Sequence, residues 1–504
     1  MTSYQDQSQT TLMGAACPGA RPRTPVRLAW PAAFMAILLT AVAIRLWFLS
    51  LPIRFDEAFS YLHYVSLPFD RVISSYDTTN NHILNSVLMH AVYRLWGNAP
   101  ELLRLPAMTF GILLVPAIYW TARRMHDRYA AMFAAALAAS SSIIIEYSVN
   151  ARGYSFVLLL FTVLTGWAVR LKDDPRPLAW IGFGALSSLG FWAIPIMLYP
   201  FVMVELWLFL SFMAGDSSVA RNQGMALLGV SVVAAGLCSL VLYLPVLVTQ
   251  EFHGMTALNP DATTKSLGYL LDELPGALWD FALLLVRDLS PPVAILLVAF
   301  LLLSPAAHRS AATHRVPFLW AMLLGFLVIM PVYRVVPYPR VMLFVHPMLL
   351  IAASSVFTWL MRRVKLKWLE GWGFPAAAAA YAVLACLLVV RTQSLEMSTQ
   401  TGALPDAQAA ARFLEAEYRP GDRLLMVHPS NEIIEYHFLR DGFPYGLMAA
   451  TSSSDRGRVL IVVNLAHRQR LPYVLEQSGI NPRTTAMRLL KGFNSALVVE
   501  LRPE

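Results

Sequence analysis

Apolar runs of about twenty residues recur along this chain from position 29 to position 390, joined by short connections that carry Lys and Arg, and they leave few folds open. Inside hydrocarbon every backbone N–H and C=O must find its partner within the protein, so runs of this length fold as transmembrane helices. With 57% hydrophobic residues, 14% charged residues and a mean hydropathy of +0.54, the composition excludes a soluble globular domain. The net charge of +8 does not point to a nucleic-acid partner. Its basic residues lie where the positive-inside rule places them, so they report topology, and membrane lipids are the expected surroundings.

The basic clusters orient the spans. The tail 1–28 carries Arg21, Arg23 and Arg27 among Ser, Thr, Gln, Gly and Pro, and reads as disordered and cytoplasmic. The first run, 29–51, is too long for the core of a cleaved signal and reads as a signal anchor. Arg123, Arg124 and Arg128, then Arg170, Lys172 and Arg176, then Arg309 and Arg315, and finally Arg362, Arg363, Lys365 and Lys367 mark returns to the cytoplasm. Region 129–145 reads as a single outward span and 249–275 as a long outer segment. The count comes to about eleven helices within 29–391. The expectation is a multi-pass protein of the cell membrane, in the bacterial setting the inner membrane, with the N-terminus cytoplasmic and the C-terminus outside.

After Arg391 the texture changes. PDAQAAARFLEAEY reads as a helix, and RLLMVH, RVLIVVN and SALVVEL read as strands, so 392–504 is expected to form a small extracytoplasmic α/β domain. No glycine-rich phosphate loop follows any of these strands, and the domain reads as a structural or acceptor-positioning appendage. Cys17, Cys238 and Cys386 are scattered and suggest neither a disulfide framework nor a metal site.

Chemistry is expected in the outer loop 52–101. It opens with Asp56 and Glu57 at the mouth of the first span, where an acidic pair is costly unless it binds something or takes a proton. The same loop holds Asn81 and His82, and aromatic residues from Phe55 to Trp96 suited to headgroup depth. By topology Arg152, His253 and Arg340 share that outer side. Two plainer readings stand beside this one: the acids could cap an interfacial helix, and the arginines could be snorkelling anchors at helix ends.

These residues carry a resemblance. RFDEAFSY after the first span, LRLPA opening the second, ARGY opening the fourth and PRVMLFVHPMLLIAA opening a late one resemble the GT-C membrane glycosyltransferases. The nearest likeness is to the branch of protein O-mannosyltransferases and the lipid A aminoarabinose transferase. It is good over the first half of the membrane domain, looser over the second, and only one of arrangement in the C-terminal domain. The resemblance implies a polytopic GT-C fold and an inverting enzyme. Such an enzyme moves a sugar from a polyprenyl-phosphate donor to a hydroxyl of a lipid, polysaccharide or protein acceptor on the outer face. It implies Asp56 as catalytic base, with Glu57 beside it holding loop geometry or a cation. Arg152 and Arg340, with Arg45 in the first helix, would bind the donor phosphate. No cofactor is certain; a divalent metal ion is the candidate. Where many relatives have a His-Pro-Pro-like string this chain has Asn81 and His82, and where many place an acid before Ala-Arg it has Asn150, Glu146 being the nearest acid. His253 would be a metal ligand with Glu57 or His82. The alternative function is a transporter or flippase of a lipid-linked saccharide, against which stands the gathering of ionisable residues in outer loops rather than at mid-membrane.

Overall fold

The computed structural model describes residues 24–257, 265–287, 289, 291–334, 338–364, 371–396, 398–443, 458–477 and 485–503. The chain enters through α1 (Thr24–Phe48) and builds its first loop from α2 (Phe55–Ser60), a π-helical turn over Tyr61–Val65, α3 (Phe69–Ser74), α4 (Ile83–Trp96) and α5 (Pro100–Leu103). Next come α6 (Leu105–Met125), α7 (Arg128–Ser140), α8 (Ser142–Ser148), α9 (Tyr154–Leu171), α10 (Pro177–Ala193), α11 (Leu198–Met213) and α12 (Arg221–Ala257). The helical part ends with α13 (Leu267–Val286), α14 (Pro291–Ala311), α15 (Phe318–Tyr333), α16 (His346–Val364) and α17 (Gly373–Thr392).

Among the described residues eight helices are long and apolar enough to cross a membrane, or nine if α7 and α8, bent by 60° at their junction, form one span. The expected single span 129–145 is therefore broken, with Ser141 extended at the bend. Two more apolar helices, α10 and the Phe318–Pro331 part of α15, are shorter. About eleven crossings are reached only by counting the bent pair and both short helices. The expected outer segment 249–275 also differs: α12 continues to Ala257 and α13 begins at Leu267. Pro245 and Pro275 lie inside these helices, where neighbouring helices tolerate the missing hydrogen bond.

Local signals explain several boundaries. Asp127 caps α7 by accepting from the N–H groups of Tyr129 (2.7 Å) and Ala130 (2.9 Å), and its other oxygen meets Arg362. The main core threads α6, α9, α11 and the segment that leads into α16, with Leu114, Phe161, Trp207 and Phe344 fully buried.

The C-terminal part holds α18 (Ala407–Glu417), α19 (Ser430–Asp441) and α20 (Leu471–Gln477). With them are β1 (Arg423–Met426), β2 (Val459–Asn464), β3 (Thr485–Gly492) and β4 (Ala496–Pro503). The sheet order is β1-β2-β4-β3, with β1 parallel to β2 and the other pairs antiparallel. Asp406 stands just before α18, and its carboxylate accepts from Ser495 N–H (2.6 Å) and Oγ (2.7 Å), tying the helix to the start of β4. This region is more than an appendage. Ile53, Ala58, Tyr61 and Leu103 of the first loop share one core with Leu404, Leu414, Ile433 and Val462.

Candidate active site

The site begins at the first turn of α2. Arg54 is extended just before the helix, and its N–H donates to Glu57 Oε2 (2.9 Å), the side chain three residues on bonding back across the helix start. Asp56 and Glu57 are consecutive in a helix, hence turned about 100° apart, and cannot face the same surroundings.

Glu57 turns inward and is saturated. Arg104 grips it with Nε on Oε1 (2.8 Å) and one terminal nitrogen on Oε2 (2.6 Å), and Ala151 N–H donates to Oε1 (2.8 Å). The same guanidinium donates to the carbonyls of Leu49, Leu51 and Pro52, fixing the exit of α1. Burial alone would raise the Glu57 carboxyl; the Arg104 ion pair and its hydrogen bonds outweigh burial and hold it below the ordinary value. With both oxygens engaged and outside the cavity wall, Glu57 is not placed for catalysis beside Asp56 or for a cation; of the expectations for it, holding the loop is the one its contacts fit.

Asp56 turns the other way, into a cavity of about 590 Å³. The residue is 4% exposed, and its Oδ2 has no hydrogen-bond partner among the described residues. Arg152, Arg340 and His82 line the same cavity, with Tyr154, Tyr199 and Tyr338. Arg152 is buried and donates to Ser60 Oγ (3.2 Å) and to both oxygens of Asn80, while its Nε has no partner among the described residues. Arg340 leads a 3₁₀ turn over Pro339–Val345 and donates to the Gln400 carbonyl (3.1 Å), close enough to Asp56 for their charges to interact.

His82 accepts the Gly153 N–H at Nδ1 (2.9 Å), which puts the proton of a neutral ring on Nε2, and the Arg152 guanidinium stands 3.2 Å from that second nitrogen. Burial first, then the charges of Arg152 and Arg340, push its imidazole well below the ordinary value, so it stays neutral. Asn81 lies behind the wall, donating to the Ser75 carbonyl (2.6 Å) and accepting from Ser86 Oγ (2.7 Å). Asn150 is buried and donates to Thr401 Oγ (3.2 Å). Glu146 is held by Arg54 (3.0 Å) and Arg287 (2.8 Å). Arg45, fully buried in α1, donates to the Ala41 carbonyl (2.9 Å) and is not part of the cavity wall.

The metal expectation does not fit these positions. Glu57 and Glu146 are bound by arginines, and both nitrogens of His82 face N–H donors. Among the described residues no group of three His, Cys, Asp or Glu could hold a metal ion. His253 falls in the last turns of α12, where side chains lie outside the described residues.

Sequence reasoning missed the far wall. The segment 398–402 runs across α2, with Phe55 N–H donating to the Gly402 carbonyl (2.8 Å) and Asp56 N–H to that of Thr401 (3.3 Å). Arg54 ties the same segment down through the carbonyls of Leu395 (2.5 Å) and Ser398 (3.2 Å). Gly402 has φ +72°, and a Cβ there would come within 2.5 Å of Phe55 Cβ, so a side chain would be excluded twice over. His428 and His467 complete this wall. His428 packs edge-on to Phe55 (4.2 Å between ring centres); burial lowers its pKa while the Asp56 charge pulls the other way. The expected interfacial aromatics divide: Phe55, Phe59 and Tyr76 line the cavity, Tyr61 and Tyr64 are buried, and Phe69 and Trp96 are exposed.

Residues 83–248 match the family model of the dolichyl-phosphate-mannose-protein mannosyltransferases. No curated protein matches the chain. Among solved structures it is similar to ArnT from Cupriavidus metallidurans in the apo state, with a TM-score of 0.60 and 13% identity over 94% of this chain and 98% of that one. The same protein bound to undecaprenyl phosphate gives 0.54 at 12% identity, over the same shares of both chains. The archaeal oligosaccharyltransferase AglB from Archaeoglobus fulgidus, in complex with an inhibitory peptide and a dolichol-phosphate, gives 0.52 at 12% identity, over 85% of this chain and 69% of that one. The chain thus shares the fold of ArnT and AglB, and its residues 83–248 match the mannosyltransferase family model within that fold.

Proposed function

We propose that this chain is an inverting glycosyltransferase that moves a sugar from a polyprenyl phosphate to an acceptor hydroxyl at the extracytoplasmic face. The observation that carries the reading is a buried carboxylate with an unpartnered oxygen sharing one cavity with two arginines. Undecaprenyl phosphate and dolichol phosphate in the structures of similar fold support a lipid-phosphate donor.

In the reaction the acceptor oxygen attacks the anomeric carbon as the bond from that carbon to the phosphate oxygen breaks. The hydroxyl proton passes to Asp56, and the leaving lipid phosphate keeps the bonding electrons. Its growing negative charge falls to Arg152 and Arg340, donors fixed beforehand in a water-poor site. Ser60 and Asn80 hold Arg152 in place, and neutral His82 beside it adds no charge of its own. A single displacement puts base and leaving group on opposite faces of the sugar and inverts its configuration.

The test is transfer by the purified full chain in lipid, supplied with a pool of polyprenyl-phosphate sugars, with the product's anomeric configuration determined. Sugar joined to acceptor with inversion supports the reading. Retained configuration, or movement of intact donor across the bilayer without transfer, ends it in favour of a two-step mechanism or a flippase.

A further inference from the structure

The end of the bundle opposite Asp56 holds a second pair of cavities. An apolar groove of about 310 Å³ lies between α14 and α15 on a floor formed by Met348, Ile351 and Ala352 of α16. A polar cavity of about 620 Å³ adjoins it, and the two share Pro305, His308, Pro317 and Trp320 as a common wall. We propose that together they bind one anionic phospholipid, its phosphate against Arg309 and Arg315 and an acyl chain in the groove between α14 and α15.

Three observations support this occupant. First, the groove faces the bilayer: Leu302 (77% exposed) and Leu323 (51%) belong to its rim, and Trp320 (55%) stands where an interfacial aromatic anchors. Second, the charge is complementary. Arg309 and Arg315 are exposed in the polar cavity, and the acid beside them, Asp216, is paired with Lys172 (3.1 Å) and accepts the Arg315 N–H (2.8 Å). Basic pockets between helices at a membrane surface select anionic headgroups. Third, a buried polar atom is unspent. His314, 5% exposed, lines the polar cavity with its Nε2 unpartnered among the described residues, a state that is unfavourable unless a ligand atom fills it. Burial and the neighbouring His308, His126 and Lys172 lower its pKa, so the ring is neutral.

The pocket is built rather than incidental. The loop that carries Arg315 is pinned where Thr313 N–H donates to the Met125 carbonyl (3.0 Å) and its Oγ to that of Arg124 (2.6 Å). Trp207 Nε1 donates to the Val316 carbonyl (2.8 Å) from the other side.

The experiment reconstitutes the full chain in nanodiscs of phosphatidylcholine with a minor fraction of phosphatidylglycerol and reads the lipids retained by native mass spectrometry. One phosphatidylglycerol retained in preference to phosphatidylcholine is expected. Arg309→Gln and Arg315→Gln should each weaken that preference by roughly fivefold. Arg340→Gln, at the other end, should leave it unchanged, and soluble glycerol phosphate should not compete. Both arginines are exposed, so their loss should not unfold the protein, and thermal unfolding of each variant verifies this. Equal retention of the two lipids overturns the proposal, as does a preference insensitive to Arg309 and Arg315. Displacement by undecaprenyl phosphate at equal concentration overturns the assignment to a phospholipid.

Discussion

On the cavity side of α2 charged groups have unused bonding capacity: Asp56 Oδ2 and Arg152 Nε are buried without partners among the described residues. Behind α2 the opposite holds. Glu57 and Arg104 share two close contacts and take further bonds from backbone N–H or carbonyl groups, and Arg54 bridges Glu146 to the segment 395–401. Both sides exclude water about equally, Asp56 being 4% and Glu57 1% exposed. Burial alone therefore does not distinguish the two sides of α2; unsatisfied charge facing the cavity does. A protein tolerates a buried charge without a partner where a ligand of the opposite sign, or a proton, is due to arrive.

The comparison is most easily broken at its centre. Asp56→Asn keeps the shape, removes the proton acceptor and is expected to lower the transfer rate by about 10²–10⁴-fold, leaving thermal unfolding unchanged or slightly improved. A variant that unfolds early, or that transfers at the parent's rate, would move Asp56 to the structural side. Glu57→Gln should do the reverse. It leaves Arg104 buried without its counter-charge, and breaking such a pair costs about 3–5 kcal/mol. Chemical unfolding in detergent reads this directly, and a loss below 1 kcal/mol would show that the pair does not hold the loop.

How the two sides relate to the sequence is instructive. Asp56, Arg152 and Arg340 could be placed on one side of the membrane from the apolar runs and the charges between them, because hydrophobic length and charge sign suffice for topology. The division between Asp56 and Glu57 was legible only to a reader who began a helix at Phe55, since the roughly 100° step separates their faces. Glu57's partner Arg104 lies 47 residues away, and Arg54 reaches Ser398 across 344 residues. No periodicity carries such distances, so the segment 398–402, His428 and His467 stayed unread. β3 escaped for another reason. It is an edge strand with Met487 and Leu489 exposed, so its apolar residues do not mark a buried face. The spans were overextended in the opposite sense: 129–145 carries no charge and reads as one run, although its only three consecutive polar residues, Ser140, Ser141 and Ser142, sit where the helix bends.

A smaller effect is expected at Arg340. Arg340→Gln removes one charged donor, whereas Arg152 keeps its place, so donor binding should weaken by about ten- to a hundredfold with the fold intact. Binding of a polyprenyl phosphate by the variant at the parent's affinity would leave Arg152 as the phosphate ligand and make Arg340 an anchor, the plainer reading of its position.

The smallest effect separates the two sides by pH. The His82 imidazole is held well below its ordinary 6.5, so as the pH falls below that value the unfolded chain takes up a proton that the folded chain refuses. Its contribution to stability is complete above about 6.5 and declines below it, by about 1.4 kcal/mol for each unit by which the folded value is depressed. Glu57 works in a lower window. Its folded value lies beneath the ordinary 4.5, so its contribution persists until the pH drops under 4.5 and is lost as the pH falls through the folded value. Thermal unfolding followed downward in pH should therefore weaken first through the cavity side, and His82→Gln should flatten part of the decline between 6.5 and 4.5 while leaving the later one. An unchanged slope in His82→Gln would mean that the imidazole is protonated in the folded protein. It would then stand as a third positive charge beside Arg152 and Arg340, and the leaving phosphate would meet a stronger field than two arginines supply.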